Sequence, residues 1–534
     1  MPYDVIIIGA GLAGMMAAYT AQAEGARVLL LNRGGMGLGT NSAMSNGVFT
    51  GPSDSYDLDA YIRDTIEIGK GLNDPSVVRR VGREAPAAIR SLQTFGIDVK
   101  ENAGRHIIQP DRKDIIRGVD LVRKISDHLK QSDRVTPKTG FTVTEIVSRN
   151  GSIAGVRGFD ASGSPVSIAA SAVIVAAGGA GAIYLCNDNQ KSTMGQGYAL
   201  CARAGLALWD MEFVQFYPMV FSEDRLPQVM LYPGFPRQVK MINASGEDIA
   251  EKHGLENLFE AIRIKRDSFS KLVYDECRKG PVYMDLRDAP EESWPKYPMT
   301  LLEKIKFDFR NNPVRITPGA HYCMGGVRVD EKAQTGIKGF FACGEVVWGL
   351  NGANRRGGNA LSECLVFGRL AGKSAAVHAA GHPSTDPGIG DKVDAASSGG
   401  PADFRKLKKE IRQIAWNYAG ISRSESGMNE GLRLLRGLEA QIESTTADNV
   451  QEKKQRFDLS CAGVILKAIL VAGLGRKESR GAFFREDFPE TDDASWLKNS
   501  CLKYDPESGN FKPDYHPVSS IQHLSKTGID LRDA

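Results

Sequence analysis

The chain lacks the residue patterns that announce metal or membrane chemistry. Its eight cysteines (Cys186, Cys201, Cys277, Cys323, Cys343, Cys364, Cys461 and Cys501) form no CxxC pair and no cluster-type run. That scatter argues against an intrinsic iron–sulfur centre, a structural zinc or any other metal site. It fits a reducing compartment in which most thiols are small core hydrophobes. An excess of one charge is missing too: 67 Lys and Arg against 64 Asp and Glu leave +3, too near balance for a nucleic-acid partner. No apolar run approaches the roughly 20 residues that span a bilayer, so no direct membrane span is expected. The first strand-like segment begins at residue 3, leaving no room for a secretory leader and pointing to the cytoplasm. No internal repeat is visible. What is present is an ordinary globular composition, 42% hydrophobic and 25% charged over 534 residues, sized for two or three domains.

The N-terminus carries the first positive signal. Tyr3–Ile8 is a β-branched apolar run typical of a buried parallel strand, and it leads into Gly9-Ala10-Gly11-Leu12-Ala13-Gly14. A helical apolar pattern follows over Met15–Ala23, then Gly25 and a second strand over Arg27–Leu31. This order is the dinucleotide-binding fingerprint: Gly9 permits the tight turn, Gly11 lets backbone approach a pyrophosphate, and Gly14 lets helix pack on strand. The second strand ends in Asn32-Arg33 instead of the acid expected for a ribose hydroxyl, although the Asn32 amide oxygen can still accept a hydrogen bond.

Two further strands end in glycine. Ala172–Ala177 runs into Gly178-Gly179-Ala180-Gly181, and Phe340–Cys343 ends at Gly344-Glu345. The longest informative stretch is residues 344–367, GEVVWGLNGANRRGGNALSECLVF, read with HYCMGG at 321–326. Within it Gly358, Asn359, Ala360 and Leu361 open a helix, whose unpaired N–H groups and partial positive charge suit an electron-rich ring.

In these segments the chain resembles the flavoproteins of the fumarate reductase, succinate dehydrogenase and L-aspartate oxidase family over nearly its whole length, thinning within residues 221–318. The resemblance implies an α/β architecture. A Rossmann-like FAD-binding domain would occupy residues 1–220 plus 319–382, with an inserted α+β capping domain over 221–318. A linker at 383–403 would precede a helical C-terminal domain at 404–534, with helical spacing over Phe404–Tyr418, Met428–Ile442 and Val450–Leu474. The Arg and Glu residues of RKESRG, 476–481, are expected to form interdomain ion pairs. The three glycine-ended strands imply FAD, with Ala177, Gly178, Gly179, Gly344 and Glu345 lining it. Where the family's membrane-complex members carry the histidine that binds FAD covalently, the run Thr40-Asn41-Ser42-Ala43-Met44-Ser45-Asn46-Gly47 has Asn41. An amide is not nucleophilic enough for that bond, so FAD is expected to be held noncovalently by a surface that includes Thr40, Asn41, Ser42 and Gly47.

The family moves hydrogen across a C–C bond beside a carboxylate. Arg355 matches its carboxylate clamp and His321 its second carboxylate ligand, where the plainer alternative is a satisfied core histidine. Arg266, in Lys265-Arg266-Asp267, matches the arginine that delivers the proton, with Arg263 as fallback; the competing reading is an exposed arginine paired with Asp267. Two departures alter the expected substrate. Gln215-Phe216-Tyr217-Pro218-Met219 replaces a segment with cationic recognition by one whose Tyr217 offers a neutral hydrogen bond. The cap segment carrying a relay acid is replaced around Met230–Pro236. Gln196 stands where relatives have Asp.

The implied activity is therefore an FAD-dependent oxidoreductase acting on a small carboxylic acid bulkier or less charged than fumarate. L-aspartate oxidase or fumarate reductase proper is one alternative; an electron-transfer flavoprotein subunit without turnover of its own is another. An external iron–sulfur or other electron-transfer subunit is expected, through which any peripheral membrane association would be made.

Overall fold

A computed structural model describes residues 3–518 except 113–114, 225, 232–235, 256–257, 259–260, 263–265, 297, 383–399 and 401–402. Arg263 and most of the expected linker therefore lie outside the described residues. Five short strands form one parallel sheet in the order Phe340–Ala342, Ala172–Val175, Val5–Ile8, Val28–Leu31, Val135–Lys138. The near-continuous Val, Ile and Leu content of the three central strands follows from burial on both faces. Helix Leu12–Ala23 packs along the long helix Asn359–Gly381, where Gly368 and Gly372 bring the second helix close: an added Cβ would lie 2.6 Å from Ala13 O or 2.3 Å from Ala17 O. Because the strands are parallel, the glycine turns after Ile8, Val175 and Ala342 line one edge of the sheet.

A second apolar cluster, from Tyr217 to Ile316, is separate from the main core. It is built on an antiparallel sheet in the order Val214–Phe221, Val314–Cys323, Val282–Asp285, Lys240–Ile242. The first two strands are shared: Phe216, Ala320 and Cys323 belong to the main core, while Tyr217, Phe221, Val314 and Ile316 belong to the second. The boundary between the two cores thus runs beside Tyr217 and His321.

Helices Phe404–Tyr418, Glu425–Glu443 and Val450–Gly475 pack on one another as the helical spacing anticipates. The C-terminal region also contributes a hairpin, Lys498–Asp505 with Asn510–Pro517, that extends a small sheet begun by Gly326–Val327 and Leu208–Trp209. One expectation is corrected. Val450–Gly475 is 26 residues long with a window of mean hydropathy 1.9, enough by length and composition to cross a membrane. In the fold 72% of that window is buried in protein, so its apolar surface is core. Arg476 and Glu478 are fully buried and join Glu212 of the preceding domain, with Arg476 Nε 2.7 Å from Glu212 Oε1. RKESRG therefore does form interdomain ion pairs.

Candidate active site

The glycine turns leave room where a dinucleotide needs it. Gly9 has φ +107°, and a Cβ there would lie 2.3 Å from Ala176 O; at Gly14 it would meet Gly9 O at 1.9 Å. These two close contacts join strand to helix. A Cβ on Gly11, by contrast, would find nothing nearer than Ser42 Oγ at 3.5 Å, and one on Gly178 nothing within 4 Å. Ser42 Oγ accepts from Leu12 N at 3.1 Å, tying the Thr40–Gly47 segment to the start of the first helix. Thr40 Oγ1 is bonded to Gly37 O, and Gly47 adopts φ +62°.

The helix Asn359–Gly381 begins after Gly358, at φ +92°, with no side-chain cap and no acidic residue in its first turn. Asn359 is fully buried; its Oδ1 accepts from Tyr61 Oη at 3.2 Å, and its Nδ2 has no acceptor. Ala360 and Leu361 follow in the same uncapped turn. Thr50 closes over it: Thr50 Oγ1 donates to Gly357 O at 2.7 Å, and Ser362 Oγ donates to Thr50 O at 2.7 Å. Open backbone at Gly11 and Gly178, an uncapped helix start and an orphaned buried donor together fit FAD.

Arg33 is engaged by another side chain, whereas Asn32 uses its Nδ2 and not the amide oxygen expected to accept from a ribose. Arg33 forms an ion pair with Asp458 of the C-terminal region, Nη2 to Oδ2 at 3.0 Å, and Gln196 Nε2 donates to the same carboxylate at 2.6 Å. Asn32 Nδ2 turns back to Gly35 O at 2.8 Å. The Glu345 carboxylate accepts from Cys323 N at 3.0 Å and touches the Ala177–Gly179 turn, where a Cβ on Gly179 would collide with it at 2.0 Å.

Arg355 is 5% exposed, and among the described residues no carboxylate lies within ion-pair distance of it. Its Nε donates to Gln215 Oε1 at 3.2 Å, and its guanidinium lies 4.6 Å from the Tyr322 ring centroid. Burial, then the neighbouring Arg266, pull its pKa down to about 10. Arg266 crosses from the second core to donate to Arg355 O, while its buried Nε has no acceptor. It is half-buried instead of exposed, and its charge still acts on the neighbouring Asp267. Two guanidinium groups thus act on one another at the boundary between the cores, and among the described residues neither has a carboxylate within ion-pair distance. That arrangement is costly unless a ligand brings the charge.

His321 lies on the strand Val314–Cys323. The pairing of its strand shifts between Gln215↔Tyr322 and Phe216↔Ala320, so His321 is the extra residue of a β-bulge. Bulges re-aim side chains in this way. His321 Nδ1 lies 2.7 Å from Asp188 Oδ2, and its ring is 5.9 Å from that of Tyr217. Tyr217 donates to Leu231 O at 3.1 Å. The neighbouring Cys323 is buried, with its thiol pKa pushed up, so it acts as a hydrophobe.

Sequence reasoning missed Asp188, Asn189 and the role of Glu363. Glu363 is fully buried and accepts from Tyr322 Oη at 2.8 Å. Its Oε1 and the Oδ1 of Asn351 both lack donors. Burial pushes its pKa up to about 8 and that of Glu345 to about 7. A carboxyl whose folded pKa exceeds its unfolded value of about 4.3 stabilises the fold at low pH and loses that contribution as pH rises through the folded pKa. The thermal midpoint should accordingly be higher at pH 5.5 than at pH 8.5, and Glu363→Gln should narrow the gap. Equal gaps in calorimetry of the two proteins would contradict the assignment.

Residues 4–361 match the FAD binding domain family, and residues 408–527 match the fumarate reductase flavoprotein C-terminal family. One of the chains of the CoM/CoB fumarate reductase of Methanothermobacter marburgensis is 31% identical, covering 94% of this chain and 98% of its own. The L-aspartate oxidase of Agrobacterium fabrum is 31% identical, covering 91% of each. A quinol fumarate reductase structure from E. coli superposes with TM-score 0.85 at 25% identity, covering 97% of each chain. The chain belongs to the FAD-dependent flavoprotein family of fumarate reductases, succinate dehydrogenases and L-aspartate oxidases.

Proposed function

We propose that this protein interconverts a C–C single and double bond beside a carboxylate, on a substrate other than fumarate. The observation that carries this reading is the buried, unpaired Arg355 guanidinium facing a second one, Arg266. Bound FAD would exchange a hydride with one substrate carbon. Arg355 offers Nη1 and Nη2 to one substrate carboxylate, with Nε held by Gln215, and a planar fork grips that group better than a point charge. Arg266 adds positive potential where negative charge develops and is the residue placed to pass a proton to the neighbouring carbon. His321 binds the carboxylate from the opposite side, its ring orientation set by Asp188. The far end of the substrate meets Tyr217 and the apolar second core, which suits a tail without a second charge. Residues 221–318 act as a cap, closing on the two shared strands and excluding water.

Asn41 spends its amide on protein partners, consistent with FAD held noncovalently. Acid precipitation should leave the flavin in the supernatant; flavin in the pellet would refute this. An external iron–sulfur or other electron-transfer subunit would supply or remove electrons and carry any peripheral membrane attachment. Stopped-flow re-oxidation of the dithionite-reduced protein tests the central reading: crotonate (but-2-enoate) should restore the oxidised flavin spectrum at least tenfold faster than fumarate. Faster re-oxidation by fumarate would return the site to fumarate reductase proper. Inertness to every enoic acid tested, with tight flavin, would favour the electron-transfer subunit.

A further inference from the structure

The strand bearing His321 and the short helix bearing Asn41 are joined by hydrogen bonds that the proposed activity does not require. Asn41 Nδ2 donates to Asn189 Oδ1 at 2.6 Å, and Asn41 Oδ1 accepts from Gln190 N at 2.9 Å. Asn189 Nδ2 in turn donates to Ala320 O at 3.0 Å and His321 O at 3.3 Å. The segment is sewn to the same strand by Asp188 N to Ala320 O at 3.3 Å and Ala320 N to Cys186 O at 2.9 Å. Between Asn41 and His321 sits Asp188, the carboxylate on His321 Nδ1. Asn189 is buried against Gly181, where any Cβ would lie 2.2 Å from Asn189 Nδ2, so little space exists for it to swing away.

We propose that Asn41 is a positioning residue for His321, acting through Asn189 to hold the Asn187–Gln190 segment and the bulge in one register. An asparagine suits the task because its amide can donate and accept at once on a short arm. A bulge leaves its extra residue without a ladder partner, so orientation must come from side-chain contacts such as these. The latch couples the flavin-side helix to the carboxylate ligand. Replacing Asn41 with histidine would remove the two-point contact and loosen His321, whatever it did for flavin attachment. Asp188 is the second positioning residue: by engaging Nδ1 it leaves Nε2 as the nitrogen that meets a ligand.

The inference takes His321 as a ligand-binding residue from the proposed function, but its first test needs no turnover. The holoprotein labelled with ¹⁵N-histidine gives ring signals from eight histidines, and His321→Gln identifies the one of interest. Asn41→Ala and Asn189→Ala should each broaden or displace that signal. Asn41→Ala, which loses two hydrogen bonds, should weaken crotonate binding about tenfold when binding is followed by flavin absorbance, and Asn189→Ala, which loses more, at least as much. The double variant should fall well short of the product of the two single effects, because the residues act largely in series and only the Asn41 Oδ1 contact with Gln190 N bypasses Asn189. Unchanged His321 signals in both single variants would overturn the latch, as would effects that multiply in the double variant. If Asn41→Ala releases FAD, Asn189→Ala carries the test, since it leaves the flavin-side helix intact. Failure of the wild type to bind crotonate would sink the proposed function while the ring signal still judges the latch.

Discussion

Arg355→Ala is expected to lower kcat/KM by about three orders of magnitude while keeping FAD bound. Fork and charge belong to one guanidinium, and losing one preorganised electrostatic donor costs about 10²–10³ in comparable sites, so the upper end is expected for a buried one. Stability should move the other way, or not at all. Burial lowers the pKa of Arg355, which means that the ligand-free fold bears a cost for holding the cation. Removing it gives up one hydrogen bond to Gln215 and the stacking on Tyr322, both modest. The variant should therefore melt at or above the wild-type temperature and still be inactive, the pattern of a site that trades stability for chemistry. Arg355→Lys should recover little, because one ammonium cannot reproduce both Nη contacts. Steady-state kinetics beside thermal scans of the same preparations would decide it. Near-normal turnover in Arg355→Ala would remove the clamp from the mechanism.

The second large effect belongs to a residue away from the proposed chemistry. Arg476 is fully buried and satisfies four acceptors: Glu212 Oε1 at 2.7 Å, Glu478 Oε1 at 2.8 Å, Trp496 O at 3.0 Å and Lys498 O at 2.7 Å. Asp210 is also buried nearby, its pKa pushed up by burial and by Glu212. Arg476→Ala would strand Glu212 beside Asp210 with no cation on it, while Arg480 still neutralises Glu478 at 2.8 Å. Breaking a buried pair in this way costs about 3–5 kcal/mol. The loss should appear in denaturant unfolding of the holoprotein. Adding Glu212→Gln to Arg476→Ala should restore part of it, since the stranded charge is then gone. A single variant as stable as the wild type would show that the network carries no net stabilisation.

Much of the fold was legible because its signals are local. Alternating strand, glycine turn and helix near Gly9 is a statement about adjacent residues, and backbone geometry enforces it directly. The three C-terminal helices were readable for the same reason: apolar residues at helical spacing must find a common face. The membrane-length character of Val450–Gly475 was missed because Lys467 interrupts its apolar run, yet the window average remains high. The hairpin at Lys498–Pro517 was not legible because the family resemblance implies a helical C-terminal region, and a hairpin shows itself only through its pairing.

The catalytic candidates show the same division. Residue types, and the motifs around Arg355, His321 and Arg266, were visible one at a time. That Arg33 and Gln196 share Asp458 was invisible, because Asp458 lies 425 and 262 positions from them. Asp188 carried no motif of its own and acquires meaning only when a bulge turns His321 toward it across 133 positions.

By itself, then, the sequence determined the glycine-turned strands of the N-terminal fold and the three C-terminal helices, and which side chains carry charge or can accept a proton. Tertiary structure alone decided that two arginines from different cores meet without an anion, and that an asparagine beside the flavin turn braces a histidine. The reason is one of range. Local spacing constrains the backbone over a few residues, whereas sheet register, a bulge and the boundary between two cores set contacts across a hundred or more.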